Sequence, residues 1–166
     1  MSWLYKTPRI GKKGKVFTLY KLRSLKENTD KWTENVRGQD YTWCGKWLRK
    51  YKLDELPQLW NIIKGDMVLV GPRPLPENEM EALPNEVKKQ ILSVKPGLTD
   101  LASVYFYNEE ELIQKSGIPF DEYWLNIRPI KIVLQVFYVQ HKCWILDLCL
   151  IWLTFKRMLG GLGKKS

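Results

Sequence analysis

The residues with the clearest potential for chemistry lie between Leu53 and Leu75, in the segment LDELPQLWNIIKGDMVLVGPRPL. Two adjacent carboxylates, Asp54 and Glu55, open a predicted helix and would stay ionised in the positive end of its dipole. Arg73 stands between two prolines, so its backbone is restricted and its guanidinium fork suits a phosphate. Mg²⁺ commonly binds one or two carboxylates together with substrate phosphates. The combination predicts a metal-assisted site for a phosphorylated substrate.

The same segment predicts the elements that would position these groups. Pro57 fits the first turn of a helix, because first-turn amides lack intrahelical partners. The helix carries apolar residues at helical spacing, which predicts a buried face made of Leu56, Leu59, Trp60 and Ile63. Gly65 would end the helix, residues 67–70 are expected to form a short buried strand, and residues 71–74 a stiff turn.

The stretch from Leu53 to Leu75 resembles the catalytic core of the bacterial sugar transferases, the monotopic phosphoglycosyl transferases. Residues 17–24, 95–99 and 138–148 also resemble blocks of this family, in the same order, so the resemblance covers residues 5–158. It implies transfer of a sugar-1-phosphate from a UDP-sugar to polyprenyl (undecaprenyl) phosphate with release of UMP. Such a reaction would initiate the synthesis of a cell-surface polysaccharide or glycoconjugate.

The resemblance also implies roles for individual residues. Asp54 would attack the β-phosphate and form an acyl-phosphate, while Glu55 would be the metal or proton partner, with Mg²⁺ held by both carboxylates. The implied substrate-binding residues are Arg49, Arg73, Pro72, Pro74, Lys21, Arg23 and Lys95. Taken alone, Asp54 is an ordinary helix cap and the basic residues are ordinary surface charges. The matching segment around them favours the chemical roles.

Three features depart from the family pattern. The family's re-entrant membrane helix would precede the first strand, and Met1 stands where that helix would already have ended. Thr7 occupies a position where relatives usually have Gln, and Asp100 one where they usually have Gly. If the backbone at residue 100 needed a positive φ, an Asp would fit less well than a Gly. A truncated, catalytically weak member that binds the membrane or a partner glycosyltransferase is therefore the alternative function.

Composition narrows the choice of partners. The 166 residues suit one catalytic domain, predicted over residues 1–158, with a flexible basic tail at residues 159–166. Of the net charge of +9, +8 lies in residues 1–55, and the chain contains eight Trp, which favour membrane–water interfaces. This asymmetry fits an anionic lipid surface or a polyphosphate, although a solvated basic surface would look the same. No nucleic-acid-binding motif accompanies the charge, and a single His excludes a multi-histidine zinc site.

No segment is long and apolar enough to predict a transmembrane helix. The most apolar stretch, residues 143–155, includes Asp147 and is shorter than the roughly 20 residues that a spanning helix needs. We therefore expect a peripheral or monotopic protein on the cytoplasmic face of the bacterial inner membrane, with downstream glycosyltransferases as further partners.

The predicted fold is mixed α/β, mostly helical with a small β-sheet or hairpin and amphipathic helices at the membrane interface. The small sheet would combine an N-terminal hairpin, residues 4–10 and 15–22, with the strand at residues 67–70. Further helices are predicted at residues 76–83, 85–94, 130–141 and 144–158, and a strand at residues 101–107. A capping-box-like pattern predicts another short helix from Asn108 to Gly117.

Aromatic residues raise a question that the pattern leaves open. Trp43, Trp47 and Tyr51 recur on one helix face, which is more typical of a core than of a ligand-binding platform, and a membrane-facing role is open as well. We also expect the apolar faces of several helices to form one membrane-facing plane. Burial of Trp144, Trp152 and the Trp43–Trp47 face in a water-soluble core would contradict that plane.

Overall fold

The computed structural model describes residues 3–26, 41–107 and 120–163, with side chains described up to residue 159 and, in the last range, from residue 125. The described chain is mostly helical, with two small sheets of two strands each. The mixed α/β class and its helical bias are therefore confirmed.

The N-terminal hairpin forms as predicted. Strands β1 (Leu4–Ile10) and β2 (Val16–Leu22) pair antiparallel, and the 3₁₀ turn Lys12–Gly14 connects them. Lys13 and Gly14 both adopt positive φ in this turn, as a tight reversal requires. A small core forms under the hairpin from Phe17, Leu19 and Met67.

The carboxylate pair does not open the helix that the sequence predicts. Helix α1 (Gly45–Lys50) is followed by a separate 3₁₀ turn, Leu53–Glu55, and only then by α2 (Gln58–Ile63). Pro57 is the N-cap residue of α2 rather than a residue of its first turn. Asp54 and Glu55 thus occupy a short turn of their own.

The orientation of α2 is the reverse of the predicted one. Its buried residues are Gln58 and Asn61, whereas the predicted buried face is exposed: Leu56, Leu59, Trp60 and Ile63. Asn61 explains the reversal, because its amide nitrogen donates to the carbonyl oxygen of Thr18 and its oxygen accepts from the amide of Tyr20. The helix therefore docks on β2 through hydrogen bonds and leaves its apolar side outward.

Strands β3 (Val68–Val70) and β4 (Gly97–Thr99) form a parallel pair. A strand is confirmed within residues 67–70, but it is not fully buried as predicted, because Leu69 is exposed. It also does not join the hairpin in one sheet, and β4 was not predicted. The backbone of Gly71, directly after β3, lies unusually close to the backbone of Gly97 in β4. A Cβ atom on Gly97 would lie 2.1 Å from the amide nitrogen of Gly71, so only glycine fits there.

The two helices separated by Pro84 are confirmed as α3 (Glu77–Glu81) and α4 (Asn85–Leu92). The strand predicted at residues 101–107 is wrong, because residues 101–105 form helix α5 (Leu101–Tyr105). Asp100 is the reason: its Oδ1 accepts a hydrogen bond from the amide of Ser103 at 2.6 Å, which caps the helix. Asp100 has a φ of −150°, so Asp causes no backbone strain there. The helix predicted from Asn108 lies outside the described residues.

Two long helices complete the fold, α6 (Phe120–His141) and α7 (Trp144–Gly163). They pack against β3 and α5 around a core of Val70, Val104, Tyr138 and Leu150. Helix α7 continues past residue 158, so residues 159–163, predicted as part of the tail, are helical. Among the described residues, no helix combines the length and apolar character that crossing a bilayer requires.

Trp43 is fully exposed and Trp47 is 53% exposed, so of the interpretations left open for this aromatic face the core one is wrong. Trp144 and Trp152 are exposed as well. The condition that would have contradicted a membrane-facing plane is therefore absent, while the plane itself stays a prediction.

Candidate active site

Glu55 is the hub of a charged cluster that joins three elements. Its Oε1 lies 2.9 Å from Nζ of Lys21, on β2, and 3.0 Å from Nη2 of Arg73, in the turn after β3. The side chains of Glu55 and Lys21 are only 15% and 20% exposed. The hairpin, the 3₁₀ turn and the turn after β3 therefore meet at one carboxylate oxygen.

These contacts decide the charge state of Glu55. Burial alone would raise the pKa of Glu55, but the charges of Lys21 and Arg73 and the hydrogen bond from Lys21 outweigh it and hold that pKa well below its ordinary value. Burial lowers the pKa of Lys21, and the neighbouring Glu55 opposes that shift. Glu55 is consequently a fixed anion.

Asp54, one residue earlier, has different surroundings. It is buried, and among the described residues its Oδ1 has no hydrogen-bond partner. Burial raises the pKa of Asp54 above its ordinary value, and the charges of Lys21 and Arg49 only partly oppose this. A buried carboxylate oxygen without a donor is costly, so proteins seldom keep one without a function.

The backbone on both sides of the pair is held firmly. Lys52, directly before the 3₁₀ turn, adopts the left-handed conformation with φ 56°. On the Arg73 side, the amide of Arg73 donates to Oδ2 of Asp100 at 3.2 Å. The amide of Gly71 donates to the carbonyl of Thr99, and that of Gly97 to the carbonyl of Pro72. The paired strands thus fix the turn that carries Arg73.

The two carboxylates open onto different cavities. Asp54 lines a cavity of about 820 Å³ whose wall includes the cations Arg9, Lys21, Arg23 and Arg49. Glu55 lines a second cavity of about 570 Å³, together with Arg73 and apolar residues that include Leu56, Leu69 of β3 and Ile151 of α7. Arg9 and Arg49 line both cavities, which therefore meet beside the carboxylate pair.

The predicted substrate-binding residues are thus only partly brought together. Around the pair lie Lys21, Arg23, Arg49, Arg73 and Pro74. Pro72 is buried and contributes a backbone carbonyl to the strand pair rather than a surface. Lys95 lines neither cavity, and its Nζ lies instead near Gly65, at the end of α2.

Several residues at the site were not predicted from the sequence. They are Arg9, Lys52, Asp100 and Tyr107. Arg9 could have been found from the hairpin register, which pairs it with Phe17 and places it on the strand beside β2. Tyr107 carries no local signal, because only the fold brings the end of α5 to the carboxylates.

A metal site made wholly of protein side chains is not present in the described part of the chain, where no cluster of three or more His, Cys, Asp or Glu residues occurs. Asp54 and Glu55, adjacent in one turn, offer carboxylate oxygens to both cavities. The unpartnered Oδ1 of Asp54 fits a hard cation, since Mg²⁺ is usually bound by one or two carboxylates and completed by phosphates and water.

The chain is similar to known sugar transferases. Residues 1–161 match the family model described as bacterial sugar transferase. The uncharacterized sugar transferase EpsL of Bacillus subtilis is 37% identical over 165 residues, which cover 96% of this chain and 71% of that protein.

Two further relatives are much longer than this chain. The undecaprenyl-phosphate galactose phosphotransferase of Salmonella typhimurium is 33% identical over 141 residues, covering 74% of this chain and 29% of that protein. The galactosyl transferase CpsE of Streptococcus agalactiae is 31% identical over 176 residues, covering 98% of this chain and 36% of that protein. The match over residues 1–161 decides the assignment: the chain belongs to the bacterial sugar transferase family.

Proposed function

We propose that the chain transfers a sugar-1-phosphate from a UDP-sugar to polyprenyl phosphate and releases UMP. Relatives named as undecaprenyl-phosphate galactose and N-acetylgalactosamine phosphotransferases support the acceptor and the group transferred. The relative ExoY of Sinorhizobium fredii, named as an exopolysaccharide production protein, supports a role in initiating a cell-surface polysaccharide. Downstream glycosyltransferases would then extend the product.

The observation that carries the proposal is the unpartnered carboxylate oxygen of Asp54 beside a basic cavity. The donor diphosphate would occupy this cavity, where Lys21, Arg23 and Arg49 offset its negative charge. An oxygen of Asp54 would attack the β-phosphorus. The bond from that phosphorus to the bridging oxygen would break, and UMP would leave with the electron pair.

The second half of the reaction restores Asp54. A phosphate oxygen of the polyprenyl phosphate would attack the same phosphorus, the acyl-phosphate bond would break, and the carboxylate of Asp54 would be released. Arg73, whose side chain is 46% exposed and reaches Glu55 from the second cavity, would contact the transferred phosphoryl group. Both half-reactions therefore take place where the two cavities meet.

Asp54 and Glu55 would hold Mg²⁺ together with the donor phosphates. When bound, the ion would neutralise charge as an anion approaches an anionic diphosphate. Lys21 fixes Glu55 in position for this role, and the depressed pKa of Glu55 keeps it ionised.

The apolar side of α2 supports attachment to a membrane surface. Helix α4 shows the ordinary pattern, with Ile91 buried and its lysines outward, whereas α2 exposes Trp60 at 55% and Ile63 at 73%. Burying such side chains in a lipid interface gains about 25 cal/mol per Å². We place the protein peripherally on the anionic, cytoplasmic surface of the bacterial inner membrane, where the polyprenyl acceptor would be reached.

The test is product analysis with a panel of UDP-sugars, a short-chain prenyl phosphate and Mg²⁺. The proposal requires UMP and a prenyl diphosphate sugar, with no turnover in EDTA. Asp66→Asn, which removes a carboxylate lining neither cavity, is the matched control for Asp54→Asn and should retain turnover. Release of UDP instead of UMP would contradict the proposal, because it would mean transfer of the sugar without its phosphate.

A further inference from the structure

Lys52 and Tyr107 lie together on the wall of the second cavity, beside Glu55. Nζ of Lys52 lies 5.7 Å from the centroid of the Tyr107 ring, within the reach of a cation–π interaction. The hydroxyl of Tyr107 is buried and has no hydrogen-bond partner among the described residues. A buried hydroxyl without a partner is rare in folded proteins, and here it lines the cavity that contains a catalytic carboxylate.

The backbone of Lys52 supports a functional position. Its φ of 56° and ψ of 21° lie in the left-handed region, which residues other than Gly, Asn and Asp seldom adopt. Strained backbone of this kind tends to occur at functional sites. The conformation turns the chain directly into the 3₁₀ turn and keeps the ammonium close enough to act electrostatically on both Asp54 and Glu55.

The remaining wall of the second cavity has two chemical characters. Its cationic side chains include Arg73, Lys131 and Arg128, the last of which is paired with Glu79. Its apolar side chains include several that are themselves exposed: Leu56, Leu69, Ile151 and Phe155. The cavity of Asp54, by comparison, is lined mainly by the hairpin and its cations. A ligand matching the second cavity has an anionic head and an apolar tail.

We propose that Lys52 and Tyr107 bind the phosphate head group of the lipid acceptor, while the apolar residues around the cavity hold the first part of its hydrocarbon chain. The inference rests on the proposed function. The hydroxyl of Tyr107 donates a hydrogen bond to a non-attacking phosphate oxygen, and the ammonium of Lys52 balances the charge. Another oxygen of the same phosphate is then left to face the phosphorus carried by Asp54. The donor and the acceptor therefore approach the carboxylate pair from different cavities.

The test separates the two half-reactions in the full chain. The first is the burst of UMP released from a UDP-sugar without acceptor, and the second is turnover as a function of the concentration of a short-chain prenyl phosphate. Tyr107→Phe should raise the acceptor KM about 10-fold or more, the usual value of a hydrogen bond to a charged group, and Lys52→Gln should do the same. In Tyr107→Phe, which leaves every charge near Asp54 unchanged, the donor KM and the UMP burst should change less than about twofold.

Matched controls are available close by. Tyr105→Phe removes a hydroxyl from an exposed tyrosine that lines neither cavity, and Lys50→Gln neutralises an exposed lysine on α1. Both should leave the acceptor KM unchanged. Inorganic phosphate tests the phosphate head group without a hydrocarbon chain. It should bind this cavity far more weakly than the prenyl phosphate does and therefore inhibit turnover only weakly.

Each contrary outcome has a separate meaning. An intact burst with an unchanged acceptor KM in both variants would overturn the inference and leave the proposed function standing. A raised donor KM in Tyr107→Phe would show that the nucleotide sugar, and not the acceptor, contacts this hydroxyl, which also overturns the inference. If inorganic phosphate bound as tightly as prenyl phosphate, the apolar residues of the cavity would not contribute to binding, and that part of the inference would be wrong. No UMP from the unmodified protein would overturn both proposals.

Discussion

The two carboxylates of the pair share one 3₁₀ turn but differ in what surrounds them. Glu55 accepts from Lys21 and Arg73 and faces the second cavity, whereas Oδ1 of Asp54 has no partner among the described residues and Asp54 faces the first. The pKa of Glu55 is lowered and that of Asp54 is raised. One short turn thus provides two different environments: Glu55 is an anion fixed by its partners, and Asp54 keeps a buried oxygen without a donor among the described residues.

Replacing Asp54 has the largest expected effect on activity. Asp54→Asn should reduce transfer by about 10⁴-fold or more, because an amide cannot attack the phosphorus. Stability should not fall: without divalent cations at neutral pH, the variant lacks the cost of a buried carboxylate and should unfold at the same or a higher urea concentration. This stability gain should vanish as the pH falls below the ordinary pKa of Asp, where the carboxyl is protonated in both the folded and unfolded states. A clear loss of stability at neutral pH would mean that Asp54 is paired.

Replacing Glu55, unlike replacing Asp54, should lower the stability of the protein as well as its activity. Glu55→Gln leaves the charge of Lys21 buried without its partner, which typically costs about 3–5 kcal/mol, and it should also impair transfer severely. Urea unfolding measures the free energy of unfolding. Adding Lys21→Met to Glu55→Gln should recover part of the loss, since the unpaired charge is then removed. A single variant as stable as the unmodified protein would break the contrast between the two carboxylates.

Arg73 contacts the same oxygen of Glu55 as Lys21 does, but from a more exposed position. Its side chain is 46% exposed, so Arg73→Ala should lower the free energy of unfolding by about 1 kcal/mol or less. The donor KM should rise about 10-fold through loss of a charged hydrogen bond to the phosphoryl group. Lys89→Ala, which breaks an exposed ion pair on α4, is the control for charge removal. An unchanged donor KM would exclude Arg73 from the site.

The smallest expected effect is on the pH dependence. In the metal-free protein, burial raises the pKa of Asp54 above that of an ordinary aspartate, about 4. Glu55 stays ionised in that range because its pKa is lowered. The carboxyl ¹³C chemical shift of Asp54, followed by NMR against pH without divalent cations, should therefore show a midpoint above that of an ordinary aspartate. A midpoint at or below the ordinary value would contradict the desolvated surroundings of Asp54.

The sequence was sufficient for the parts of the fold that depend on local signals. The hairpin is marked by the Gly-Lys-Lys-Gly turn between two extended runs, and Pro84 separates α3 from α4. The carboxylate pair and Arg73 could be singled out because the motif is long and continuous. Their convergence on one oxygen adds the spatial fact that the motif could only suggest.

The failures have a common physical cause, which is tertiary context. Helical spacing predicted that Trp60 is buried, but hydrogen bonds from Asn61 to β2 decide which side of α2 faces inward. Alternation predicted a strand where the cap formed by Asp100 makes a helix. Tyr107 was missed because no pattern near it shows that α5 ends beside Glu55. Apolar residues at helical spacing occur on exposed apolar faces as well as on buried ones, so the sequence pattern does not distinguish the two.

The central claim is that Asp54, and not Glu55, carries the transferred phosphosugar. The most direct measurement is mass spectrometry of the protein after incubation with a UDP-sugar and Mg²⁺ in the absence of acceptor, followed by localisation of the adduct to a residue. We predict a sugar-phosphate on Asp54, absent from Asp54→Asn and discharged on addition of prenyl phosphate. An adduct on Glu55 would exclude Asp54 as the nucleophile. UMP release and complete transfer without any covalent adduct would exclude a covalent intermediate.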